Sequence, residues 1–287
     1  MIKLISIDLD GTLLNQENKV EPDMKETIAE IQDRGIRIVV NTGRDYRSAS
    51  RIAGEAGIRG GIICCNGSEI YDGEGKQVAS HPLPADLVRR VEALLEEEGF
   101  ILSYFTHSGQ YMLLSLQEYR RYSREVLLPL ILSHGHSAEK AAAELETWRK
   151  ELRFCKRQEL ERKQIYKLNA VCYRMEEAAK RVTGKLASAE GVTAVCTNMG
   201  DMEITMPRID KGSGLLEYIQ DLDITLGEIL VMGDSENDLP AMLLPGICSV
   251  AMGNAKETIQ SRCKYCTAGN GEGGVKKVLK GLLEYRQ

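Results

Sequence analysis

Short apolar runs that stop at a polar, glycine-containing turn recur along this chain, and that recurrence restricts its fold more than any other feature. Residues 3–7 carry Leu4, Ile5 and Ile7 and end at Asp8-Leu9-Asp10-Gly11-Thr12; residues 36–40 end at Asn41-Thr42-Gly43-Arg44. Residues 61–65 end at Asn66-Gly67-Ser68, and residues 229–232 at Gly233-Asp234. Apolar runs this continuous fit strands covered on both faces, as in a parallel sheet. Helical segments separate them: residues 22–34 place Met24, Ile28 and Ile31 on one stripe and stop at Gly35. Alternating strand and helix predicts right-handed crossovers and an α/β fold, an open parallel sheet with helices on both faces. Such sheets bind ligands at the carboxyl ends of their strands, so the polar turns are expected to converge on one site.

Between His81-Pro82-Leu83-Pro84 and Met206-Pro207-Arg208 the texture changes. A helix over 85–98, strands over 100–106 and 110–115 and a helix-rich middle come first. A strand over 165–173, a helix over 175–189 and strands over 192–197 and 202–206 follow. This mixed pattern predicts an inserted α+β domain over 84–207, with prolines at both junctions as linkers require. The core is then discontinuous, built from residues 1–83 and 208–287.

The chain has 287 residues and a formal net charge of -5, which gives no general attraction to nucleic acid or to anionic membranes. Its densest basic stretch, residues 149–163, is interrupted by Glu151, Glu159 and Glu161 and reads as a solvated helix face. No apolar run approaches the roughly 18 residues that a membrane span needs, and the N-terminus enters a strand rather than a signal peptide. A soluble, cytoplasmic protein is expected. Its eight cysteines fit that compartment as thiols, and Cys64, Cys65, Cys172, Cys196 and Cys248 lie in apolar, strand-like surroundings as small core residues. Cys263 and Cys266 lack the second pair that a zinc site requires.

Asp8 and Asp10, two apart at a strand end, point the same way if the strand continues. Like charges so placed raise each other's pKa unless a cation intervenes, so a metal is expected. Phosphoryl transfer needs a nucleophile, a cation, donors on the phosphoryl oxygens and a proton source. Asp8 suits the nucleophile and Asp10 the acid and base. Asp234 in Gly233-Asp234-Ser235-Glu236-Asn237-Asp238 would join Asp8 on magnesium, with Asp238 as an outer ligand or orienter. The same cluster also reads as a helix cap. Thr42 is a phosphate donor or a turn residue, Lys211 a point cation or a solvated lysine, and Asn66-Gly67 a supporting element or a turn. His107, His134, His136 and Trp148 fall in the inserted segment, where lining a pocket, packing and solvation all stay open.

In order along the chain, Asp8-Leu9-Asp10-Gly11-Thr12-Leu13-Leu14, Asn41-Thr42-Gly43-Arg44, Lys211-Gly212 and Gly233-Asp234-Ser235-Glu236-Asn237-Asp238-Leu239 resemble the haloacid dehalogenase superfamily, specifically its Cof-type phosphatases. Asn66-Gly67-Ser68 and Ala251-Met252-Gly253-Asn254-Ala255 match recurring segments of that family too. The resemblance implies a Rossmann-like core with an inserted α+β cap that selects substrate. It also implies Asp8 as nucleophile and Asp10 as general acid/base. Mg2+ would be held by Asp8, Asp234 and the Asp10 backbone carbonyl. Thr42, Lys211 and Asn237 would contact the phosphoryl group, with backbone amides around Asp10, Gly11 and Gly43 nearby. The expected partner is a small phosphate ester, a sugar phosphate above all, and no oligomeric state is implied. A non-catalytic phosphate-ester binding protein and a phosphomutase use the same residues and remain the alternatives.

Overall fold

In a computed structural model the strands are β1 (Leu4–Ile7), β2 (Arg37–Asn41), β3 (Ile62–Cys64), β4 (Glu69–Tyr71), β5 (Gln77–Ser80), β6 (Ile101–Thr106) and β7 (Gly109–Met112). They continue with β8 (Leu152–Phe154), β9 (Lys167–Val171), β10 (Thr193–Cys196), β11 (Met202–Thr205), β12 (Ile229–Gly233), β13 (Cys248–Ala251) and β14 (Tyr265–Cys266). The structure describes the whole chain except residues 134, 136, 173–177, 179, 180, 183, 187–190, 197–200 and 285–287. Most of the helix expected over 175–189, together with Tyr173, Thr197, His134 and His136, lies outside the described residues. The chain divides into two compact units, Met1–Ser80 with Ile209–Gln287, and His81–Arg208.

The first unit is an eight-stranded sheet in the order β14-β13-β12-β1-β2-β3-β4-β5. From β14 to β3 all neighbours are parallel, with Ile7 opposite Met232 on one side and Val40 on the other. Alternation along each strand sorts the core into two halves. Ile5, Ile7, Leu230 and Met232 pack with helices Met24–Asp33, Tyr46–Ala56 and Gly274–Glu284. Leu4, Ile229 and Val231 pack on the opposite face with Leu215 and Ile219 of helix Lys211–Ile219. Each such side chain, fully buried, contributes roughly 1.5–3 kcal/mol. The sheet is not wholly parallel: β4 and β5 add an antiparallel hairpin on β3. Gln77–Ser80 escaped sequence reading because its side chains are largely exposed and carry no apolar pattern.

The second unit is a six-stranded sheet in the order β10-β11-β9-β6-β7-β8, antiparallel except for β7 with β8. Helix Ala85–Glu97 covers one face, setting Leu87, Val91 and Leu95 against Leu102, Tyr104, Leu168 and Ile204. The opposite face carries Ser103, Lys167, Asn169, Glu203 and Thr205, in alternate positions of the same strands. The basic stretch 149–163 corrects the sequence reading, since its helix ends at Glu151 and is followed by strand β8 and the short helix Arg157–Leu160. Its cations are used locally: Arg157 pairs with buried Glu92, and Arg153 donates to the Tyr111 hydroxyl at 3.0 Å. Trp148 packs, partly buried, against the cluster of Met112, Tyr119, Tyr122 and Leu127, whereas His107 is exposed at the turn after β6. Cys196 is exposed rather than a core residue, because β10 is an edge strand and Cys196 is its last residue. Cys248 is only half-buried.

Candidate active site

β1 ends at Ile7, and the chain turns at once. Gly11 takes φ 72°, and Leu13 and Leu14 donate their N–H groups back to the carbonyls of Asp8 and Leu9. Any side chain at position 11 would collide with the Asp234 carboxylate, since a Cβ there would lie 2.3 Å from Asp234 Oδ2. Glycine is therefore required twice, for its conformation and for the close approach. Thr12 donates its hydroxyl to Asp234 Oδ1 at 3.2 Å, and Asn254 donates to the Gly11 carbonyl at 2.9 Å.

Lys211 opens its helix directly after the cap residue Asp210, whose carboxylate accepts from the amides of Gly212 and Ser213. The lysine is buried rather than solvated. Its Nζ donates to Asp8 Oδ1 at 2.8 Å and to Asp238 Oδ1 at 2.6 Å. The other Asp238 oxygen accepts from the Asp234 and Ser235 amides, both at 3.0 Å, so this side chain caps the turn and orients the lysine together. The second and third turns reach the same place. Asn41 donates from Nδ2 to the Lys211 carbonyl at 3.0 Å, Asn66 donates its amide to the Thr42 carbonyl, and Gly67 packs against the Asp210 backbone. Buried Thr42 accepts from the Arg44 amide on its hydroxyl oxygen at 3.2 Å, while half-buried Gly43 provides only the turn between them. Asn237 accepts from the Ser235 hydroxyl at 2.9 Å.

Asp10 stands differently from the arrangement read in the sequence. Because β1 has already ended, it does not share the buried setting of Asp8; it is exposed and held in both oxygens by Arg44, at 2.7 Å each. Burial raises the Asp8 pKa well above the usual carboxylate range, Lys211 opposes this, and the like charges of Asp238 and Asp234 add to it ahead of Asp10. Asp234 is pushed up to about 7, first by burial and then by Asp238. Burial alone would lower Lys211, but Asp238 and Asp8 carry it above the ordinary lysine value.

Ligand oxygens of Asp8, Asp234 and Asp238 lie within 4.8 Å of one another. Lys211 pairs with two of these three buried carboxylates, so ionising all three would leave excess negative charge in a setting with little water to screen it. A hard divalent cation is what such a donor set accommodates, and the residues present fit one. Sequence reading missed Thr12, Arg44, Asn41 and Asn254 as working parts of the site. Thr12 and Arg44 lay inside the motifs already singled out and Asn254 inside a matching segment, but their partners are 34 to 243 positions away.

A dense buried cluster of aspartates and one lysine lies at the carboxyl ends of parallel strands, where open α/β sheets bind their ligands. The sequence profile of the haloacid dehalogenase-like hydrolases matches residues 5–279, and the chain belongs to that family. It is 30% identical to the phosphatase YwpJ of Bacillus subtilis, over 98% of this chain and all of that one. It is 26% identical to the 5-amino-6-(5-phospho-D-ribitylamino)uracil phosphatase YcsE of the same organism, over 97% of this chain and 95% of the relative. A solved haloacid dehalogenase-like hydrolase from B. subtilis superposes with a TM-score of 0.82 at 29% identity, covering 98% of this chain and all of the other. The chain is an enzyme, a phosphoric monoester hydrolase, acting on a small phosphate ester. No helix among the described residues is long and apolar enough to cross a membrane.

Proposed function

We propose that the chain is a magnesium-dependent phosphatase of small phosphorylated metabolites, sugar or sugar-alcohol phosphates first among them, working through an aspartyl-phosphate on Asp8. The observation that carries this reading is the Lys211 bridge between Asp8 and Asp238. It leaves Asp8 desolvated, oriented and beside a cation that can neutralise charge developing on a phosphoryl group. In the first step Asp8 displaces the alcohol, and Asp10 gives that leaving oxygen a proton. In the second Asp10 takes a proton from water, whose oxygen attacks phosphorus and frees Asp8. Thr42, Asn237 and Lys211 are assigned to the phosphoryl oxygens, with Gly11, Gly43 and Asn66 shaping the loops that carry them.

Asp8, Asp234 and the Asp10 carbonyl would hold Mg2+, with Asp238 as orienter. The ion would supply charge neutralisation on the phosphoryl oxygens. Choice among esters is assigned to the inserted unit, since the acids and lysine of the core recognise only the phosphoryl end. The ribityl phosphate named for the YcsE relative motivates the sugar and sugar-alcohol class. The test is hydrolysis of p-nitrophenyl phosphate with magnesium by wild type, Asp8→Asn and Asp8→Ala. Turnover is expected in the wild type alone, and equal activity in all three sinks the nucleophile assignment.

A further inference from the structure

The Arg44 guanidinium is tied at three nitrogens: Nε and Nη2 donate to the two Asp10 oxygens at 2.7 Å each, and Nη1 donates to Ser48 Oγ at 2.8 Å. Its backbone is fixed as well, through Thr42 Oγ1 on its amide and the Cys65 amide on its carbonyl. The arginine side chain is 19% exposed and the aspartate side chain 49%, so a half-exposed carboxylate on a turn is held by a mostly buried fork. A bidentate fork fixes the plane of the carboxylate as well as its distance, which a lysine could not do. Because Arg44 donates to both oxygens, the Asp10 carboxylate is held in one orientation on the turn that follows Asp8.

From this geometry, and resting on the phosphatase reading above, we infer that Arg44 is the positioning residue for Asp10 in the second half of the reaction, hydrolysis of the aspartyl-phosphate. There a water proton passes to an Asp10 carboxylate oxygen, and the water oxygen bonds to phosphorus. The bond from phosphorus to the Asp8 oxygen breaks, its electron pair returns to the Asp8 carboxylate, and inorganic phosphate leaves. Arg44 touches neither water nor phosphorus; it keeps the accepting oxygen where the water must be.

The second half-reaction governs kcat once the first is fast, whereas kcat/KM reports only steps through the first irreversible one. Nitrophenolate leaves with little help from an acid, so p-nitrophenyl phosphate separates the two. For Arg44→Ala, kcat is expected to fall about tenfold or more, at the low end of what a general base supplies. KM should fall in parallel, leaving kcat/KM within about twofold. Rapid mixing should then show a burst of nitrophenolate approaching one per enzyme ahead of slow turnover. Arg44→Lys, which keeps the charge and loses the fork, should lie between wild type and Arg44→Ala. Falls in kcat and kcat/KM of equal size without a burst, or an unchanged kcat, overturn the assignment of Arg44 alone. Absence of turnover by the wild type removes the phosphatase chemistry and this inference with it.

Discussion

Two lysines in this chain, Lys167 and Lys211, are each only 2% exposed, and their electrical settings are opposite. In the inserted unit Lys167 pairs with the buried carboxylate of Glu203 on the neighbouring strand and lies 4.1 Å from the Phe105 ring centroid. In the core Lys211 meets Asp8 and Asp238 at once, with Asp234 beside them. The first arrangement is complete as it stands. The second is short of positive charge, which gives a further cation something to act on. Burial of a charged group is thus no sign of function; imbalance among the buried charges is.

The largest expected effect tests the balanced pair. Lys167→Met strands Glu203 and should cost about 3–5 kcal/mol in urea unfolding, while Lys167→Met with Glu203→Leu should return close to wild type. A double variant as unstable as the single one would break the comparison. Next, Lys211→Met should lower kcat/KM on p-nitrophenyl phosphate by about 10²–10³-fold, the loss typical of a removed charge-stabilising donor. Retention of most activity would show that Lys211 only packs. Third, magnesium at about one hundred times its Kd should stabilise the wild type by about 2.7 kcal/mol, read as a rise in Tm that chelation reverses. Lys167→Met should keep that increment and Asp234→Asn should lose most of it; the reverse pattern would place the ion elsewhere. The smallest effect concerns glycine. Gly11→Ala should destabilise by about 1–3 kcal/mol through a left-handed backbone pressed on Asp234. Gly273→Ala has a similar φ, and its Cβ would come no nearer than 4.0 Å to any other group, so it should cost less.

How much of this was legible in the sequence depended on whether a residue's surroundings were local. β1, β2 and β12 were legible because strands covered on both faces leave an apolar run. The turns that follow them were legible because glycine and aspartate mark them. β8 was not, being three half-buried residues behind a charged helix. The Lys167–Glu203 pair was hidden because alternating charges in a strand look like a solvated face. Asp10 was misplaced because alternation was extended one turn beyond the end of β1. The Arg44 fork joins two motifs that were each recognised but whose contact only folding creates.

β1 is hydrogen-bonded on one side to β2, which follows within the first 41 residues, and on the other to β12, which begins at Ile229. On the ribosome those partners are made roughly 10–40 s apart. Throughout that interval the central strand presents an apolar open edge, the kind of surface on which nascent chains associate. The intervening His81–Arg208 unit is continuous in sequence and has been made in full before β12 begins. The part assigned to substrate choice is therefore complete before the catalytic sheet can close, and a chaperone holding the first 80 residues would act in that window.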